Sequence, residues 1–339
     1  MKRESGFELL RIVAIALITT HHLLINGLDL CGYNRMFEIS KDSGFASFLN
    51  SLCVGGVNIF LLISGWFGIK HIVKGIVRLL FDCAVYGLVA CLLCFAFTHC
   101  PLDFHEIINA VKFTNGWYIP NYIWLLLVSP MIERSLLNVD LKIIRIWILL
   151  FSICQFYLGY YLKFVDSSGY SAINFIYLYY MGRYLRMESL NKKYIVWAKR
   201  GIFMWLITGM LLSFVFLLVA YYYHPIDSLR FWSYNNPIVV LGSISIFMFF
   251  SIVKIRSEWI NYFATSVLGI YLLLSNSLIT PIRNEFSVAI FKFGGYGFLL
   301  LYALFLVFFV GCVILLVNKL RAPILNSLYN LIRVNSLRY

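Results

Sequence analysis

Apolar residues run along this chain in blocks of about twenty, with polar residues collected between them, rather than in the alternating stripes of a half-buried surface helix. A helix needs about 20 residues to cross the hydrocarbon of a bilayer. Blocks near that length predict spans at roughly 7–27, 46–67, 79–98, 116–136, 144–163, 170–186, 202–222, 236–253, 259–280 and 295–317. The fourth is interrupted by Pro120, and the sixth is short. No tail or linker is long enough to fold as a soluble domain. Residues 1–339 are therefore expected to form one integral-membrane domain, an all-α polytopic bundle of about ten helices, with any chemistry inside the bundle or its loops.

Composition strengthens that reading. The chain is 61% hydrophobic and only 13% charged, against about 25% charged in a soluble domain. The charge that remains is lopsided. With the first span leaving from the cytoplasm, about three quarters of the Lys and Arg residues fall on the cytoplasmic side, as the positive-inside rule requires. Both termini are expected there. The net charge of +13 is then topology and contact with anionic membrane lipids. No basic domain exists to bind nucleic acid.

Met1-Lys2-Arg3 before an apolar run imitates a secretory signal, but no small-x-small cleavage site follows, so an uncleaved signal anchor is expected. Cys91 and Cys94 have CxxC spacing inside an apolar span with no second pair nearby, and no metal is expected. Cys31 and Cys100 both fall at the outer face, where a disulfide is conceivable.

Ionisable residues inside the first span are costly in lipid and turn toward a bundle interior or a watery cavity. Glu8 and Arg11 are three residues apart and hence neighbours on a helix, and His22 returns to the same stripe three turns later. Arg11 keeps its proton and works electrostatically, with Glu8 ordering it. His22 is the candidate general base. The plain alternative is an interfacial ion pair and a histidine bonded to a neighbouring helix. His21, turned off the stripe, is expected to pack beside it. In the second span Gly55-Gly56 permits close helix approach, while Asn58 and Ser64 need polar partners. Lys70, Lys74 and Arg78 recur every four residues as a cationic stripe suited to phosphate, or simply to a positive-inside anchor. Asp82 is placed to pair with Arg78. Trp117, Tyr118, Asn121, Tyr122 and Trp124 cluster near the outer face, where aromatics anchor at the interface and also suit stacking on a sugar ring.

Together these segments resemble the membrane-bound type-3 acyltransferases, bacterial O-acyltransferases of surface glycans. The resemblance rests on Glu8-Leu9-Leu10-Arg11-Ile12-Val13-Ala14 followed by His22, and on Gly56-Val57-Asn58-Ile59-Phe60-Leu61-Leu62-Ile63-Ser64-Gly65. Trp117-Tyr118 leading to 125–130, the stretch 175–185 and Gly269-Ile270-Tyr271-Leu272 are similar to later family segments. Two departures stand out: Lys74 and Arg78 occupy a place where members often carry two arginines, and Leu274 stands where many carry a histidine.

The resemblance implies transfer of an acyl group, acetyl or sometimes succinyl, from cytoplasmic acyl-coenzyme A to a hydroxyl of a cell-envelope or exported polysaccharide. It implies that His22 is the catalytic histidine and Arg11 the helix-one arginine. It also implies that Lys74 and Arg78 stand at the acetyl-CoA contacts, and that the membrane is a bacterial cytoplasmic (inner) one. The residues themselves add Glu8 to the catalytic group, as the residue that orders Arg11, and Lys70 to the acetyl-CoA contacts. They give Asn58, Ser64, Trp117, Tyr118 and Asn121 to a glycan or lipid-linked saccharide, with Asn58 or Ser64 a donor to the developing oxyanion. The rival readings are a transporter or flippase, or a non-catalytic subunit for polysaccharide export. Against a transporter, no internal repeat or matched pair of broken helices is visible.

Overall fold

A computed structural model describes residues 4–30, 43–98, 103–112, 116–166, 168–222 and 229–331. Cys31 and Cys100 lie outside these residues. Among the described residues the chain is all α. The helices are α1 (Ser5–His22), α2 (Ser43–Cys53), α3 (Gly56–Phe67), α4 (Ile72–Thr98), α5 (Phe104–Lys112), α6 (Tyr118–Ser135), α7 (Leu141–Cys154), α8 (Ala172–Glu188), α9 (Lys192–Lys199), α10 (Gly201–Tyr222), α11 (Pro237–Ile252), α12 (Glu258–Phe263), α13 (Val267–Leu274) and α14 (Ile279–Leu331). Wider π-type turns extend α1 through Gly27 and α7 through Tyr161. Seven stretches among the described residues are long and apolar enough to cross a membrane. The expected count of ten is not reproduced as such. The helices α6 and α8 carry too many polar residues or too few turns, and α12–α13 is broken by a tighter turn at Ala264–Ser266.

Helix ends follow local chemistry. Asp140, Ser171, Asn191, Asn236 and Ser257 each accept a backbone N–H at the start of α7, α8, α9, α11 and α12. Pro120 lies in the first turn of α6, where no intrahelical N–H is needed. Pro130 sits inside α6 and cannot donate to the Leu126 carbonyl, and the Ser129 hydroxyl supplies that bond instead at 2.9 Å. The long α14 turns at Gly294–Gly295, where Gly295 has φ 66°, a conformation that suits glycine.

The segment Gly44–Phe67 is the centre of the bundle: 83% of its most apolar window is buried, against 17% for Leu141–Tyr161. The outer helices turn large apolar side chains such as Leu149, Phe203 and Phe214 outward, as a lipid-facing surface does. Small residues set the close crossings. A Cβ on Gly65 would sit 2.1 Å from the Tyr179 carbonyl oxygen, and one on Gly182 would sit 2.3 Å from that of Leu62. Both contacts are backbone, so neither can yield cheaply. Gly182→Val is expected to push α3 and α8 apart and cost roughly 2 kcal/mol or more, measured as an earlier thermal transition of the purified protein than Gly209→Val, whose Cβ meets the side chains of Leu52 and Phe48 rather than backbone.

Candidate active site

Helices α1, α3, α4, α6 and α13 enclose a cavity of about 450 Å³, within the range of small-molecule sites. Its mouth holds Glu8, Arg11, Lys70 and Arg78, and its inner wall holds Ile18, Ser64, Tyr118, Tyr122 and Tyr271. The Arg11 guanidinium donates to the buried Glu8 carboxylate at 2.8 Å and lies 6.0 Å from the centre of the Phe67 ring. The carboxylate therefore fixes the direction of the arginine while its outer face stays open to the cavity.

The cavity wall climbs α1 from Arg11 to Ile18, about 10 Å along the axis. His22 follows one turn later, about 6 Å further. It lies beyond the lining of this cavity and is half-buried. Its ring is 5.8 Å from that of His21. His21 Nδ1 is 2.7 Å from Asn50 Oδ1, a contact that holds the His21 ring against α2. Arg283, buried on α14, is within electrostatic reach of His22 and donates to the Leu274 carbonyl at 2.8 Å. Leu274 itself packs into the core.

The cationic stripe does not form as a single row, because α4 begins at Ile72 and leaves Lys70 on the preceding linker. Lys70 and Arg78 line the cavity, whereas the Lys74 ammonium lies 5.3 Å from the centre of the Tyr329 ring near the end of α14. Arg78 Nε is 3.7 Å from Asp82. Asp82 is 1% exposed and also forms an ion pair with Arg321.

Among the groups proposed for the acceptor, Ser64 and Tyr118 line the cavity. The Ser64 hydroxyl donates to the Phe60 carbonyl at 2.9 Å and is 3.3 Å from the Tyr122 hydroxyl. Tyr118 stacks on Tyr122 and meets Tyr271 edge-on, at 5.6 and 5.3 Å between ring centres. Asn58 is fully buried and donates to the Tyr234 carbonyl at 2.8 Å. Trp117 stacks on Tyr234 at 5.3 Å and meets Tyr170 edge-on. Asn121 donates to the carbonyls of Trp117 and Tyr170, which commits its amide to holding that aromatic cluster.

Sequence reasoning passed over Tyr271 as a wall of this cavity, and also Arg283, Asn50 and Tyr234. Tyr271 carried a signal in its motif. The others are joined to the site only by long-range packing. Below Tyr234, Asp166 in the loop before α8 accepts from Gln155 at 2.7 Å and from Asn235 at 3.4 Å. Burial there pushes its carboxyl above the ordinary range.

Residues 4–318 match a family model described as "Acyltransferase domain", which covers nearly the whole chain. No curated protein and no solved structure matches it.

Proposed function

Since this chain belongs to the type-3 acyltransferase family and is a multi-pass membrane protein, we propose that it moves an acetyl group from acetyl-coenzyme A to a hydroxyl of a cell-envelope or exported glycan. The observation that carries this reading is the cavity whose cationic mouth and apolar, phenolic interior lead along α1 to within one turn of His22. A phosphate-bearing thioester suits both ends of such a space: Lys70, Arg78 and Arg11 meet its anions, and the interior receives its acyl arm. Lys74 acts from outside, holding the end of α14 against the mouth.

On this reading the acceptor oxygen attacks the thioester carbonyl carbon as His22 takes the hydroxyl proton. The carbon–sulfur bond then breaks, the thiolate leaves, and His22 returns the proton to it. An ester, a free thiol and a neutral imidazole result, so atoms and charge balance. Glu8 orients Arg11 and takes no proton, being about 20 Å from His22 along the helix. The acceptor approaches from the side of Tyr170, whose exposed ring, backed by Trp117 and Tyr234, offers a face for a sugar. The cytoplasmic orientation of the basic mouth, in a bacterial inner membrane, is part of the same proposal and rests on the Lys/Arg asymmetry.

The test uses the full chain in membrane vesicles supplied with acetyl-coenzyme A labelled in the acetyl group. Label is expected in the glycan fraction, reduced at least about tenfold by Arg11→Gln through loss of a charge-assisted contact. A wild-type chain that exports glycan without labelling it is a transporter, and the proposal fails.

A further inference from the structure

A second cavity, of about 480 Å³, opens beside the first, between the end of α3, α6 and α8. The two share Ile69 and Lys70. Gly68 creates this ridge. With φ 70° it ends α3, donating to the carbonyls of Ser64 and Gly65, and a Cβ there would come 3.2 Å from the Glu133 carboxylate. The Tyr179 hydroxyl fixes the ridge by accepting the Ile69 N–H at 3.0 Å.

The second cavity is strongly cationic. Lys70, Arg134, Arg183 and Arg186 line it with one carboxylate, Glu133. Both oxygens of that carboxylate are engaged, one by Arg183 at 2.9 Å and the other by the Tyr179 hydroxyl at 2.6 Å. Arg186 donates to the Trp66 carbonyl at 2.9 Å, which holds its guanidinium in place without neutralising it. Among the described residues, Lys70 and Arg134 pair with no carboxylate. The remaining wall, including Phe67, Ile72 and Pro130, is apolar. Cations beside apolar faces, two of them held in place, suit a heteroaromatic base carrying phosphates.

We propose that the acyl donor spans both cavities. Its nucleotide lies in the second, with the ribose phosphate and the 5′ phosphate on Arg134 and Arg186, while the phosphate that joins the pantetheine arm stays on the shared Lys70, at the mouth of the first. Its pantetheine arm crosses the Ile69–Lys70 ridge into the first and runs toward His22. This rests on the donor assignment made above and adds the place of the nucleotide. Four cations facing one engaged carboxylate leave a net positive field that no other carboxylate among the described lining residues balances. The shared lysine makes the two cavities one path.

The proposal separates by ligand truncation. Full-length wild type, Arg134→Gln and Arg186→Gln are placed in phosphatidylcholine nanodiscs, and binding of coenzyme A and of phosphopantetheine, which lacks the nucleotide, is measured. Each arginine variant is expected to bind coenzyme A about tenfold more weakly and phosphopantetheine within about twofold of wild type. In transfer assays the same variants raise KM for acetyl-coenzyme A and leave kcat unchanged. Retained phosphopantetheine binding shows that the variants are folded. Equal weakening of both ligands, or of neither, overturns the two-cavity donor site while leaving the donor assignment standing. So does unchanged coenzyme A binding with loss of binding to added phosphatidylglycerol, which would make the cavity a lipid headgroup site. A wild type that binds neither coenzyme A nor phosphopantetheine overturns the donor assignment itself, and this proposal with it.

Discussion

Replacing His22 with alanine is expected to lower acyl transfer by about a hundredfold or more, the span of a general base, while coenzyme A binding stays within about twofold of wild type. The separation follows from position. The groups placed to hold the donor's phosphates stand at the mouth, and His22 lies one turn beyond the cavity's innermost α1 residue, Ile18. Removing the imidazole therefore leaves the mouth intact. His22→Gln keeps a polar group of similar reach without an exchangeable base and is expected to be as inactive as the alanine variant. Rescue of His22→Ala by added imidazole would identify the lost group as a base rather than a packing element. Transfer at wild-type rate in His22→Ala would end the general-base assignment. Loss of transfer together with loss of coenzyme A binding would show instead that the histidine supports the fold of the cavity.

What could be read in the sequence is what the bilayer enforces locally. Apolar blocks of spanning length became helices because lipid leaves the backbone no other partner. The Glu8–Arg11 pair follows from helical spacing alone, and it formed. The asymmetry of Lys and Arg gathered Arg11, Lys70 and Arg78 at one end of the bundle, where they meet at one mouth. What could not be read depends on contacts distant in sequence. Lys74 shares a spacing with Arg78, but Tyr329, far along the chain, draws it out of the cavity. The ridge at Ile69–Lys70 depends on Tyr179, a residue of α8. Leu274 stands where the family often has a histidine, and its backbone rather than its side chain turns out to matter locally, as the acceptor for Arg283. Helical periodicity carries no trace of such pairings, because each joins segments that the pattern treats as independent.

Asp82 shows how large such an unseen pairing can be. The sequence offers Arg78 as its partner at one-turn spacing, and that contact exists at 3.7 Å. The closer ion pair is with Arg321 on α14. Arg321 in turn lies 5.4 Å from the centre of the Tyr86 ring and donates to Asn318 Oδ1 at 2.6 Å, an oxygen that also accepts from the Tyr86 hydroxyl at 2.7 Å. Arg321→Met leaves a carboxylate in the interior with only the loosely held Arg78. Stranding one member of a buried pair costs about 3–5 kcal/mol, and the remaining cation puts the expectation near the lower figure. The purified variant should therefore melt well below wild type. The electrostatic consequence is separable from the packing one. With Arg321 gone, Arg78 is the remaining cation for Asp82 and turns inward, away from the mouth, so coenzyme A affinity falls as well. Asp82→Asn combined with Arg321→Met removes both charges and should recover much of the lost stability, and it also frees Arg78, so affinity should return with it. A double variant as unstable as Arg321→Met alone would mean that the loss comes from the packing of Arg321 on Tyr86 and Asn318, with the ion pair contributing little.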